Sequence, residues 1–271
     1  MKIALRRPLP AEVAAALTGA QLRGKSGRIL SVITDARESS PGALFCALPG
    51  ERTDGHLYIR QAAESGCSAV LCRCCPPEAE NMLACLCVPS VEEALFKWAA
   101  ALRAGYLHPV IAVTGSMGKT TQKEFLRTLL SPLGPVFATP GNHNSTLGVP
   151  LSLLALDGKY KTAVTELGMN HPGEIGRLSR LVRPHVGVIT AIGSAHIGLL
   201  GSREAICRAK CEITEGMQGG PVWIPAREQL LARWDYPHKI TFGTPETRPD
   251  VAFSYSPCGD ESDFSLLLPS G

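Results

Sequence analysis

Through its first ninety residues the chain alternates short apolar runs with turn-forming residues, the runs falling at 29–34, 43–48, 69–72 and 85–88. Runs of this length, bounded by Gly, Pro, Ser and Asp, predict short buried strands. Residues 58–65 carry Ile59, Ala62 and Ala63 at helical spacing and are stopped by Gly66, which predicts a helix between two of them. A longer helix is predicted over 91–104, where Ser90 and Glu93 form a capping box and Gly105 and Pro109 close the segment.

Beyond Pro109 the pattern becomes strand, glycine-containing turn, helix. Strands are predicted at 110–113, 162–166 and 186–190, and helices at 120–130 and 202–217, the last with Ile206, Ala209, Ile213 and Met217 on one face. That rhythm belongs to a doubly wound sheet. The expected architecture is α/β: a small N-terminal α/β domain over 1–90, then a three-layer α/β/α central domain over 91–271. A chain of 271 residues also exceeds the usual reach of one core, so two domains are expected on length alone.

Charge changes this picture little. With 27 Lys and Arg against 24 Asp and Glu the net charge is +3, too weak to name nucleic acid or an anionic membrane as partner. Pro8, Pro10 and Glu12 interrupt anything like the apolar centre of a signal peptide, and no apolar run approaches the ~18 residues that span a bilayer. The expectation is a cytoplasmic protein without membrane insertion. Its ten cysteines are therefore expected to be reduced thiols. Cys72, Cys74, Cys75, Cys85 and Cys87 offer enough sulfur for a zinc site. The better reading makes them small apolar residues of two buried strands, because a C-x-C pair on one strand face lacks the loop that usually holds a metal.

The most informative stretch is Thr114-Gly115-Ser116-Met117-Gly118-Lys119-Thr120-Thr121, where a buried strand turns into a helix. Glycines let successive N–H groups point inward, and the helix N-terminus adds positive potential, making a cradle for phosphate. Lys119 is placed to neutralise β- and γ-phosphates and the Thr120 hydroxyl to ligate Mg²⁺. The usual glycine five positions before Gly118 is Val113 here, so the match is to the shorter G-x-x-G-K-T form, and a plain glycine turn is the competing reading.

Three further residues are candidates. Glu166 ends the 162–166 strand, where ligands of open α/β sheets collect, and is either a Mg²⁺ ligand or a solvated strand-end charge. His196 follows the 186–190 strand, yet oxygen ligands are the rule for Mg²⁺, so chemistry alone does not select it. Lys210 adjoins the core residue Ala209; it is either a solvated lysine or, if desolvated, one that loses its proton and takes up CO₂ as a metal-binding carbamate.

Taken in order, the segments at 34–37 (Thr-Asp-Ala-Arg), 41–45, 50–56 (Gly-Glu-Arg-Thr-Asp-Gly-His), 115–121, 141–144 (Gly-Asn-His-Asn), 147–150, 166–175, 192–196 and 209–213 resemble the Mur ligase superfamily. The Gly-Asn-His-Asn and Gly-Met-Asn-His-Pro-Gly-Glu-Ile segments resemble the branch that joins D-alanyl-D-alanine to a UDP-N-acetylmuramoyl-tripeptide; the branch that adds the third amino acid is the alternative. By this resemblance Asp35, Arg37, Arg52, Asp54 and His56 lie near the UDP-sugar, Thr114 to Thr121 bind ATP, and Asn142 and Asn144 contact metal and substrate. Thr120, Glu166, His196 and a carbamylated Lys210 are implied as ligands of two Mg²⁺ ions, with Lys119, His196 and Lys210 in the catalytic set of a monomeric enzyme.

Two departures accompany the resemblance. Trp223-Ile224-Pro225-Ala226-Arg227-Glu228 stands where the family usually carries Asn-x-Asp near the nucleotide base, so adenine recognition is expected to differ. A third, Rossmann-like domain also belongs to the resemblance, and none precedes Gly271. The sequence therefore reads as truncated and inactive by itself, the alternative being a short non-catalytic protein that binds nucleotide or UDP-sugar peptide.

Overall fold

The computed structural model describes residues 1–50, 53–195, 197–258 and 261–268. Two compact units emerge: Met1–Leu107 with Pro150–Gly158, and His108–Val149 with Lys159–Gly271.

The first unit holds a six-stranded sheet of β1 (Lys2–Pro10), β2 (Gln21–Gly24), β3 (Arg28–Ile33), β4 (Ala43–Cys46), β5 (Ala69–Cys72) and β6 (Ala84–Cys87), in the order β1-β3-β4-β5-β6-β2. The central pairs β3-β4, β4-β5 and β5-β6 are parallel, while β1 and β2 close the edges antiparallel. The four apolar runs are these central strands; β4 and β5 are buried on both faces, as a parallel sheet covered by helices requires, while β3, next to the edge, leaves Leu30 exposed. The edge strands are largely exposed or half-buried, their apolar residues interrupted by Arg6, Arg7, Pro8 and Arg23, and gave no such signal. The helix Val91–Ala104, expected to open the second domain, lies within the first unit. Its Leu95, Trp98 and Ala99 are buried, and it packs on the helix Ala11–Thr18.

The strand cysteines behave as small apolar residues: Cys46, Cys72 and Cys85 are fully buried, and Cys72 pairs in register with Cys87. The expectation of reduced thiols is corrected at one pair. Cys75 and Cys85 form a disulfide with Cα atoms 6.3 Å apart. The reason is topological, since the chain leaving β5 turns back over its neighbour β6 and sets Cys75 against the core that contains Cys85.

The second unit is an eight-stranded sheet of β7 (Val110–Thr114), β8 (Val136–Ala138), β9 (Thr162–Glu166), β10 (Val186–Ile189), β11 (Val222–Pro225), β12 (Lys239–Gly243), β13 (Val251–Cys258) and β14 (Glu261–Leu267). Its order is β14-β13-β12-β11-β10-β7-β9-β8, parallel throughout except for β13-β14. Val113, Val164 and Val188 from three adjacent strands form the core under the helix Lys119–Leu130, which contributes Leu126 and Leu130. The helix expected over 202–217 is shorter. It runs Arg203–Cys211 and continues as a 3₁₀ turn over Glu212–Gly216, because the Glu212 carboxylate accepts from the N–H groups of Gly173 and Gly176 and draws the chain sideways. Among the described residues, no helix is long and apolar enough to cross a membrane.

Candidate functional site

The site in the second unit begins where β7 ends. Thr114 donates its hydroxyl to the Leu167 carbonyl at 2.9 Å, and the chain then turns through Gly115 at φ +145°. A Cβ there would lie 2.0 Å from Thr190 Oγ1, so only glycine lets the loop pass the end of β10. Ser116 N donates to the Ala191 carbonyl at 2.9 Å, Met117 is exposed, and Gly118 takes the left-handed conformation at φ +76° before the helix Lys119–Leu130. No side chain caps that helix, so its first amides remain open to an anion. Lys119 folds back over the loop, its Nζ donating to the Gly115 carbonyl at 2.9 Å, and Thr121 is exposed on the first turn.

Across from the loop, β9 presents Glu166, whose side chain is almost wholly buried. Its Oε2 accepts from the Thr120 hydroxyl at 2.9 Å, its Oε1 from Asn144 Nδ2 at 2.7 Å, and its own N–H is held by Thr139 Oγ1 at 3.0 Å. The Lys123 ammonium stands 3.9 Å from Oε2. A carboxylate so enclosed is aimed rather than solvated, which removes the reading of Glu166 as a surface charge.

Lys210 is 1% exposed on the helix Arg203–Cys211. Burial first, and then the positive charge of Lys119, hold its ammonium down at about 8, with Glu212 acting in the opposite sense. It is not a solvated lysine. Lys119, Lys210 and Asn144 line one cavity of about 240 Å³ together with Met169, Asn170 and Glu174. Asn142 is exposed on the same loop as Asn144, and its carbonyl accepts from Asn144 N at 2.7 Å. His196, expected as a further ligand, lies outside the described residues. Among the described residues, no three His, Cys, Asp or Glu side chains are grouped to hold a metal ion.

In the first unit, Asp35 caps a short turn, accepting from Arg37 N at 2.9 Å and pairing with the Arg37 guanidinium at 2.6 Å. That pairing holds its carboxyl at about 2. Asp54 accepts from His56 N at 2.9 Å and meets His56 Nδ1 at 2.6 Å, while His56 Nε2 accepts from Arg73 N at 2.9 Å. Because Nε2 accepts, the ring carries its hydrogen on Nδ1 and donates to Asp54. The same bonds from His56 lower the Asp54 pKa. Arg52 lies outside the described residues.

Sequence profiles fit both units. The profile of the Mur ligase family, catalytic domain, matches residues 28–103, and that of the Mur ligase middle domain matches residues 113–263. The chain belongs to the Mur ligase family. Relatives within it include UDP-N-acetylmuramoyl-tripeptide–D-alanyl-D-alanine ligases of Synechocystis, 41% identical over 69% of this chain and 41% of its own length, and of Bacillus subtilis, 40% identical over 80% and 48%. Among solved Mur ligases, a MurF from Acinetobacter baumannii superposes with a TM-score of 0.86 at 34% identity, covering 98% of this chain and 59% of that one. The MurF ligase from Thermotoga maritima in complex with ADP gives 0.79 at 29% identity, covering 88% and 55%. The chain spans about half the length of the curated relatives it matches.

Two residues of this Mur ligase chain escaped the sequence reading. Lys123 is fully buried on the helix Lys119–Leu130, and its signal was there to find: it lies four residues after Lys119, in line with Leu126 and Leu130 on the core-facing stripe. Arg73 had no such signal. It reaches His56 through its backbone N–H and Asp54 through its guanidinium at 3.2 Å, and sequence does not show which backbone donor a distant loop will meet.

Proposed function

We propose that this chain carries the nucleotide- and substrate-binding units of an ATP-dependent amide ligase that joins D-alanyl-D-alanine to UDP-N-acetylmuramoyl-tripeptide, a step of peptidoglycan synthesis. The observation that carries the proposal is the meeting of the uncapped loop from Gly115 to Thr120 with the buried Glu166 carboxylate at the Thr120 hydroxyl, 2.9 Å apart. The names of the D-alanyl-D-alanine ligase relatives and the ADP complex of the Thermotoga protein support the same reading.

In this reading the amides of residues 115–121 cradle the nucleotide's phosphates, and Lys119 leaves the Gly115 carbonyl to meet the β- and γ-phosphates. The tripeptide carboxylate attacks the γ-phosphate, breaking its bond to the β-phosphate oxygen and releasing ADP, to give an acyl phosphate; the amine of the dipeptide then attacks the acyl carbon, expels inorganic phosphate and loses a proton to leave the amide. No enzyme nucleophile is required, because alignment and charge neutralisation do most of the work in phosphoryl transfer.

The oxygens of Thr120 and Glu166 suit a hard cation. Mg²⁺ bound there would neutralise phosphate charge. Thr120, Glu166 and His196 would hold one ion, and Lys210, as its carbamate, a second. Its burial and depressed pKa favour the neutral amine that takes up CO₂. Asn142 and Asn144 face substrate and metal. Asp35, Arg37, Arg52, Asp54 and His56 bind the UDP-sugar end, and the protein acts as a cytoplasmic monomer.

Calorimetry with Mg²⁺ and a non-hydrolysable ATP analogue tests the core of this reading. Lys119→Ala should lose at least about tenfold in affinity with an unchanged circular dichroism spectrum. Equal affinity in the two proteins would sink the phosphate-loop assignment. Titration of UDP-N-acetylmuramoyl-tripeptide into Arg37→Ala tests the first unit separately.

A further inference from the structure

We propose that Lys123 is the positioning residue of this site, holding Asn144 and Glu166 in register by pinning the bend that follows β8. The inference rests on the phosphate and metal reading above. Lys123 makes no contact expected of a phosphate ligand. Its ammonium, fully buried, donates to the carbonyls of Thr139 and Gly141 at 2.8 Å each and stands 3.3 Å from Glu124 Oε1 and 3.9 Å from Glu166 Oε2.

A buried ammonium needs acceptors and a counter-charge to be tolerated. Here the acceptors are the two carbonyls that bracket Pro140, so satisfying the cation also fixes the bend. From that bend the path of the chain is determined by short bonds. His143 N reaches the Pro140 carbonyl at 3.0 Å, Asn144 N the Asn142 carbonyl at 2.7 Å, and Gly168 N the Asn144 carbonyl at 2.7 Å. The Asn144 side chain then ends on Glu166 Oε1 at 2.7 Å. Thr139, whose carbonyl Lys123 holds, also accepts from Glu166 N through its hydroxyl.

Charge explains why the residue is a lysine rather than a neutral donor. At 3.9 Å it does not compete with Thr120 for a bond to Oε2, yet its ammonium faces the buried carboxylate. Glu166 therefore keeps its aim whether or not a divalent cation is bound.

The test uses Lys123→Met and Lys123→Gln in the full chain, read in two ways. One readout is the side-chain amide NMR signal of Asn144; the other is binding of Mn²⁺ alone, followed by electron paramagnetic resonance. Lys123→Met should move the Asn144 signal to its solvent-exposed position and weaken Mn²⁺ binding about tenfold, the loss typical of removing a group that orients a metal ligand. Lys123→Gln, which keeps a donor, should fall between, and it decides the matter by the same readouts if the Met variant fails to fold. In a Glu166→Gln background Lys123→Met should cost no further Mn²⁺ affinity, whereas a packing role would give additive losses. An unmoved Asn144 signal, or additive losses, overturns the proposal. If Glu166→Gln alone binds Mn²⁺ like the wild type, the cation reading fails, while a displaced Asn144 signal still supports Lys123 as the positioning residue.

Discussion

The Thr120 hydroxyl donates to Glu166 Oε2 at 2.9 Å, joining the first turn of the helix Lys119–Leu130 to the carboxyl end of β9. One short bond thus couples the glycine loop to the buried carboxylate. While it donates this bond the hydroxyl keeps both lone pairs, so it can face a cation at the same time, and its contribution should depend on metal. Thr120→Val is expected to weaken nucleotide binding about tenfold in Mg²⁺ and to change it little in chelator, measured by calorimetry in both buffers. Equal losses in the two buffers would mean that Thr120 acts on the phosphates and not through a cation.

Gly115 tests the loop itself. At φ +145° with Thr190 Oγ1 2.0 Å from a would-be Cβ, Gly115→Ala meets both backbone strain and a clash. The expected cost is about 2–4 kcal/mol of unfolding free energy, with nucleotide binding lost as well. A melting temperature equal to that of the wild type would show that the loop is looser than this geometry.

The Cys75–Cys85 disulfide closes a short segment, with a sequence separation of 10. Loop closure of that size corresponds to about 2–3 kcal/mol of stability. Alkylation in denaturant without reductant should leave these two thiols unlabelled, and reductant should lower the denaturation midpoint of the first unit. Full labelling of all cysteines without reductant would contradict the pairing.

Much of this could be read from residues in order. The loop from Gly115 to Thr121 is contiguous, so its glycines, lysine and threonine are read together, and Glu166 is read as the end of an apolar strand. The central strands β4 and β5 of the first sheet were legible because burial on both faces leaves an unbroken apolar run. Its edges β1 and β2 were not, since half-exposed strands are defined by their partners. Lys210 was legible only as a neighbour of Ala209. Its burial arises from packing that no local spacing encodes, and it took the family resemblance to select it. The end of its helix at Cys211 depends on Glu212 reaching the turn at Gly173, a contact 39 residues apart in sequence.

Lys210 also makes the pH dependence of stability predictable. Its folded value, about 8, lies below the 10.5 of an ordinary lysine. Below pH 8 both folded and unfolded states are protonated, and the folded state carries the full cost of burying the charge. Between the two values the unfolded state binds more protons, so stability rises with pH, and above 10.5 the cost is gone. A gap of that size corresponds to about 3 kcal/mol. Lys210→Met should therefore be more stable than the wild type at pH 7 by about 2–3 kcal/mol in chemical denaturation, the advantage shrinking as pH rises toward that of a free lysine. Bicarbonate should narrow the difference at pH 8 by converting the buried amine to an anionic carbamate facing Lys119, with a new carbonyl signal in ¹³C NMR that the Met variant lacks. A wild type as stable as Lys210→Met across the whole range would mean that the ammonium reaches water or a counter-charge.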